Sequence, residues 1–254
     1  MLKPLILITN DDGYQSKGIK SLVDSVKDLG RIILVAPDRP QSGMGHAISV
    51  NKPVRCNKID LFSSVNAYSC TGTPVDCVKM GLFLLKGEKP DLILSGINHG
   101  SNVSTNILYS GTMSAAIEGA LAGVPSVGYS LTDYSEDADF DYSMKVVRLI
   151  SNKVINEGLN LGTCLNVNIP NVKEDKIKGI KACRQGKAFW DDTFDHRKDP
   201  LGKDYYWLTG SFGSREPAPD TDINYLENNY VTIVPTQYDL TCHNSVEELK
   251  KWKL

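Results

Sequence analysis

Five short runs rich in apolar and β-branched residues recur along the chain: "LILITN" (5–10), "RIILVAP" (31–37), "DLILSGIN" (91–98), "PSVGYS" (125–130) and "LNVNIP" (165–170). Continuous rather than alternating apolar character marks strands covered on both faces, as in a parallel sheet. Helical patterns lie between them. Ile19, Leu22, Val23, Val26 and Leu29 share one helix face, with Gly30 as a stop. "TPVDCVKMGLFLL" offers Thr73 as N-cap and Pro74 at the first helical position, where a missing N–H costs nothing. "SGTMSAAIEGALAGV" begins at Ser110 and is rich in small residues, which lets a helix backbone approach a sheet closely. A further helix is expected over 141–157, with Gly158 after it. Alternating strands and helices joined by right-handed crossovers predict an α/β fold: a Rossmann-like, doubly wound, mostly parallel sheet with helices on both faces.

From about residue 171 the pattern becomes Lys-rich, aromatic and turn-rich, as in "RQGKAFWDDTFDHR", "DYYWLTGSFGSREPAPDTD" and "YVTIVPTQYDLT". Alternation broken by Gly, Asn and Asp predicts antiparallel hairpins protruding from the core. "NSVEELKKWKL" places Val246, Leu249 and Trp252 on one stripe after a cap at Asn244 or Ser245, predicting a short amphipathic helix in a C-terminal arm. The chain thus divides into a Rossmann-like core over 1–170 and, within the same domain, a hairpin extension and C-terminal segment over 171–254.

A chain of 254 residues with 41% hydrophobic and 23% charged residues buries a substantial core and is not disordered over any long span. A net charge of −2 gives no general attraction to nucleic acid polymers or anionic membranes, so an anionic ligand needs a local site. Six cysteines without a CxxC pair read as reduced thiols. The apolar run in "MLKPLILITN" is too short for a bilayer span and has no secretory cleavage site, which predicts a cytoplasmic protein.

Open parallel sheets bind ligands beyond the carboxyl ends of their strands. The loops expected there are polar: Asn10, Asp11 and Asp12 after the first strand, Ser42 in "APDRPQSGMGHAIS" after the second, Asn98 in "SGINHGSN" after the third, and "YSGT" (109–112) opening the small-residue helix. Asp-Asp-Gly alone is a turn signal. Two adjacent carboxylates at a ligand-binding edge repel one another unless a cation compensates, and carboxylate, hydroxyl and amide oxygens are hard donors suited to Mg²⁺, Mn²⁺ or Ca²⁺. Asp11, Asp12, Ser42 and Asn98 supply such a set, with one ion per subunit. Ser110, Gly111 and Thr112 are good helix-start residues; the same unpaired N–H groups, dipole end and hydroxyls form an anion site. A phosphate facing a metal is the natural combination.

Other readings lose ground. "GMGHAI" (43–48) has Ile48 at the third glycine position of a dinucleotide loop, no GxxxxGK[ST] occurs, and "NDDGY" lacks the DxDx[TV] of a covalent aspartyl-phosphatase. The four histidines are not at metal-motif spacing, and His46 is the strongest of them for a catalytic role. Tyr109 offers a ring for stacking on a base, or for a core or interface.

Taken together, "ILITNDDGYQSKGI", "VAPDRPQSGMGHAIS", "TGTPVDCV", "PDLILSGINHGSN", "YSGTMSAAIEGALAGVPSVGYS" and "TDINYLENNYVTIVPTQYDLT" resemble, in order, the blocks of the SurE family, the stationary-phase survival proteins. The resemblance implies a metal-dependent nucleotidase cleaving nucleoside 5′-monophosphates, commonly 3′-monophosphates and in some members short polyphosphate. It also implies a dimer or tetramer with exchanged C-terminal segments. The family's metal ligands fall on Asp11, Asp12, Ser42 and Asn98, and its phosphate segment on Ser110, Gly111 and Thr112, with Asn102 beside it. One departure stands out: two residues after Asn102, where the family usually has Gly, this chain has Ser104. The expected chemistry is attack by a metal-activated water, with Asp11 or Asp12 as base and no phosphoenzyme. The rival reading is a non-catalytic nucleotide sensor using the same pocket.

Overall fold

A computed structural model describes residues 3–62, 65–214 and 218–252. Met1, Leu2, Lys253, Leu254 and part of the segment "GSREP" therefore lie outside the described residues, including the end of the predicted terminal helix.

The predicted strands form: β1 (Leu5–Thr9), β2 (Arg31–Pro37), β5 (Leu92–His99), β6 (Ser126–Leu131) and β7 (Thr163–Ile169). Two shorter strands, β3 (Cys56–Ile59) and β4 (Asn66–Cys70), were not signalled by apolar runs, because "CNKI" and "NAYSC" are half exposed and polar. With β8 (Ile180–Ala182) and β11 (Val231–Gln237), these make one nine-stranded sheet in the order β3-β4-β2-β1-β5-β6-β7-β11-β8. Its centre, from β4 to β7, is parallel; β3 and β11 join antiparallel to β4 and β7. "YVTIVPTQ", expected in a protruding hairpin, instead returns to the main sheet, because Val231, Thr232 and Val234 are buried there against its neighbours. One long hairpin does protrude: β9 (Ala188–Lys198) and β10 (Asp204–Ser214) pair only with each other.

Helices cover both faces. α1 (Lys17–Val26) and α4 (Asp141–Glu157) pack on one side with Ile6 and Ile8 of β1. α2 (Pro74–Leu84) and α3 (Gly111–Leu121) pack on the other, where Leu7 points, as the two-residue period of a strand requires. The expected cap at Thr73 is a full capping box: its hydroxyl accepts from Asp76 N at 3.1 Å while its own N–H donates to Asp76 Oδ2 at 2.9 Å. A short helix, α5 (Asp222–Glu227), precedes β11, and α6 (His243–Leu249) starts ahead of the predicted caps, at Cys242. Val246, Leu249 and Trp252 remain partly exposed. All six cysteines are free thiols, and among the described residues no helix is long and apolar enough to cross a membrane.

Candidate active site

From β1 the chain moves outward to β2 and β4, then comes back to place β5 on β1's other side. Strand order reverses between β1 and β5, and a crevice opens beyond their carboxyl ends. A cleft of about 370 Å³ lies there, lined by Asp11, Ser42, Asn98, Asn102, Tyr109 and Ser110 among others. Donors expected from three separate loops are therefore brought together.

The turn after β1 is fixed by Asn10, whose buried amide nitrogen donates at 2.9 Å to both Gly13 O and the hydroxyl of Ser16, the N-cap of α1. Asp11, 4% exposed, accepts a 2.5 Å hydrogen bond from Thr112 Oγ1 on Oδ1. Burial, and secondly the charge of Asp12, push its carboxyl up to about 6, against the opposing hydrogen bond from Thr112. Asp12, also raised by burial, accepts a longer bond of 3.4 Å from the backbone N–H of His99. A buried carboxylate that feels a second one beside it is short of positive charge.

Asn98 ends β5 after a bulge between Ser95 and Asn98 that contains a cis Gly96–Ile97 peptide. Its amide nitrogen donates to Gly100 O at 2.8 Å and His99 O at 3.2 Å, leaving the amide oxygen as its donor for a cation. Gly18 brings α1 onto this bulge, where an added Cβ would lie 2.0 Å from Ile97 O. The Ser42 loop is strapped at both ends, by Gln41 N to Asp11 O at 2.7 Å and by Gly45 N to Tyr109 O at 3.1 Å. Ser42 itself is exposed on the cleft.

Ser110 is the N-cap of α3, accepting from Met113 N at 3.0 Å. At Gly111 the helix presses on Asp11 so closely that a Cβ would lie 2.7 Å from Asp11 Cβ and 2.9 Å from its Oδ2. The Thr112 hydroxyl, expected to face a phosphate, is instead committed to Asp11, and its backbone N–H also favours the Asp11 carboxylate. The positive end of α3 thus steadies a carboxylate as well as offering an anion seat.

Asn102 lines the cleft, but its side-chain nitrogen donates to Ser130 Oγ at 2.8 Å, and its backbone is clamped by Asn166 and Asn168. It anchors the loop. Ser104 adopts φ 53°, the left-handed region that favours glycine. Its hydroxyl compensates: fully buried, it donates to Gly186 O at 2.8 Å and accepts from Ala188 N at 2.7 Å. Its own N–H donates to Asp222 Oδ2, a buried carboxylate that also accepts from Gly186 N and Ile223 N. His46 lies outside the cleft, with Nε2 3.0 Å from Glu118 Oε2 on α3; Lys79 holds the other oxygen of that carboxylate. The hydrogen bond with His46 first, and then that from Lys79, hold the Glu118 carboxyl below its ordinary value against the opposing effect of burial.

Several lining residues escaped the sequence reading, among them the side chains of Asn106, Tyr134 and Trp190. Among the described residues no group of three or more His, Cys, Asp and Glu side chains is gathered as a metal cluster; of the two carboxylates Asp11 lines the cleft, with neutral oxygens around it, while Asp12 is not among the lining residues.

The family model described as Survival protein SurE matches residues 6–192. Over 254 residues the chain is 51% identical to a Christiangramia forsetii protein named 5′-nucleotidase SurE, covering 99% of this chain and 98% of that one. It is 50% identical over 255 residues to a protein of the same name from Flavobacterium psychrophilum, covering 100% and 99%. A crystal structure of the SurE protein from Aquifex aeolicus matches with a TM-score of 0.84 at 42% identity, covering 97% of this chain and 98% of that one.

Proposed function

This chain belongs to the survival protein SurE family, and from that premise we propose that it is a 5′-nucleotidase whose site is the cleft between β1 and β5. The observation that carries the reading is the meeting, at a topological switch point, of the buried Asp11 carboxylate, with half-buried Asp12 beside it in sequence, and the amino end of α3.

The donor set fits a hard divalent ion: Asp11, Asp12, Ser42 and Asn98 offer oxygens only, and the raised carboxyls are those of groups awaiting a positive charge. Mg²⁺ or Mn²⁺ is the proposed cofactor, one per subunit, with Ca²⁺ able to occupy the same place. Bound there, the ion supplies Lewis-acid polarisation of the phosphoryl oxygens and a water acidic enough to attack near neutral pH. Thr112 keeps Asp11 in place and ionised. Ser110 and Gly111 present the start of α3 to the phosphate, whose charge in the transition state the helix end stabilises. Asp11 and Asp12 are the proton acceptors within reach. Asn10 and Asn102 hold the two loops at their spacing.

The substrate is a nucleoside 5′-monophosphate, with 3′-monophosphates and short polyphosphate as further substrates. The division of labour follows the chain: 1–170 carries the catalytic groups, while the hairpin and arm of 171–254 join subunits into a cytoplasmic dimer or tetramer with exchanged C-terminal segments. The exposed faces of β9, β10 and α6 support that assignment. The test is phosphate release from AMP, GMP and CMP with Mg²⁺, with Mn²⁺ and with EDTA. Metal-dependent turnover is expected; binding without release would make the protein a sensor, and a trappable phosphoenzyme would overturn the water mechanism.

A further inference from the structure

The cleft has a polar end, Asp11, Ser42, Asn98 and Ser110, that accounts for a phosphate and says nothing of what the phosphate is attached to. Trp190, contributed from the root of the protruding hairpin, lines the same cleft. It is fixed on two sides. Its Nε1–H donates to Asn106 Oδ1 at 2.7 Å, and its ring meets Phe212, its partner across the hairpin, with centroids 5.4 Å apart. The strand that carries it is pinned two residues earlier, where Ala188 N donates to Ser104 Oγ and Ala188 O accepts from Thr105 Oγ1 at 3.0 Å. Yet the side chain remains 41% exposed.

An indole whose one polar atom is already spent has only its π-face to offer. Its rigidity means little ordering cost on binding. Nucleobases are the natural occupants of such a platform, because every base presents a π-face whatever its hydrogen-bonding edge. We propose that Trp190 is the specificity-determining residue for the nucleoside moiety, stacking on the base of the substrate, with Asn106 as the residue that positions it. This deepens, and rests on, the nucleotidase reading above. It also implies that purine and pyrimidine nucleotides are both accepted, since stacking does not read base edges.

The experiment uses the full-length protein with Mn²⁺. It measures kcat and KM for AMP and CMP, and the inhibition constant of inorganic phosphate, for wild type, Trp190→Leu and Trp190→Phe, each checked for folding by thermal melting. Trp190→Leu should lower kcat/KM for both nucleotides about 5- to 150-fold, the range set by stacking on one aromatic, mainly through KM. Inhibition by phosphate should be unchanged, and Trp190→Phe, which keeps a π-face, should recover most of the loss. Nucleotide KM and phosphate inhibition weakening in parallel, Phe doing no better than Leu, or no change in either variant would each overturn the role of Trp190. Absence of AMP hydrolysis by the wild type overturns the nucleotidase reading itself, and this inference with it.

Discussion

Thr112 Oγ1 donates to Asp11 Oδ1 at 2.5 Å, across 101 positions of sequence, so the first turn of α3 holds the carboxylate that ends β1. That bond favours the ionised form of Asp11 against the burial and the neighbouring Asp12 charge that oppose it. Thr112→Val removes the donor at nearly constant shape, and the Asp11 carboxyl rises further. Protons then compete with the metal at higher pH. The acidic limb of the pH profile of kcat/KM, at fixed Mn²⁺, should move to higher pH; a limb that stays in place would show that Asp11 does not set it.

Asp11→Asn separates stability from activity. The Asp11 carboxyl is raised from 3.8 to about 6, so in metal-free protein its contribution to stability is fully present below 3.8 and is lost as pH rises through about 6. Asparagine keeps an acceptor for Thr112 without the buried charge. In EDTA at pH 7 the variant should be more stable by on the order of 2 kcal/mol, while its nucleotidase activity is abolished. Melting temperatures of both proteins from pH 4 to 7.5 (a range set by roughly the interval that brackets the shift) check this: the wild type should lose stability relative to the variant between 3.8 and about 6.

Gly111→Ala tests the close approach of α3. The new Cβ has 2.7 Å to Asp11 Cβ, so either the helix start or the carboxylate must shift. A cost of about 1–3 kcal/mol in denaturant unfolding is expected from overpacking. A displaced carboxylate should also lower kcat by about 100-fold, as misplacement near 1 Å does. Normal turnover would place the chemistry elsewhere.

Ser104 distinguishes two costs. Ser104→Gly relieves about 1–2 kcal/mol of left-handed strain but strands Gly186 O and Ala188 N, each buried group costing about 1–3 kcal/mol. Ser104→Ala keeps the strain and loses the same bonds. Urea unfolding should rank wild type above Gly above Ala; Gly as stable as wild type would show that the hydroxyl compensates nothing.

Much of this fold was legible because its signals are local. Uninterrupted apolar runs gave the buried parallel strands, and Thr73, Pro74, Ser110 and Gly158 punctuated the helices where the structure has them. β3 and β4 lacked that signal, since the edge strand β3 and its neighbour β4 carry polar, partly exposed residues. The tail misled for a related reason: alternation in "YVTIVPTQ" marks a strand, and only tertiary pairing decides that it adds to β7 rather than to a neighbouring hairpin.

For the site, chain position at strand ends was enough to single out Asp11, Ser42, Asn98 and Ser110, which the fold gathers in one cleft. What the Thr112 hydroxyl faces, and that the hairpin root delivers Trp190 to the same place, depend on approach distances that no spacing rule encodes. His46 illustrates the converse: a polar residue in the right loop can still be turned aside, here toward Glu118.

The two straps on the Ser42 loop tie residue 41 to residue 11 and residue 45 to residue 109, so no contiguous stretch of chain contains a working cleft. Contacts between residues so far apart in sequence carry a loop-closure cost, and they are expected to close after the sheet centre exists. Recovery of catalysis on refolding is therefore a clock for the final assembly event, lagging behind the return of helical signal.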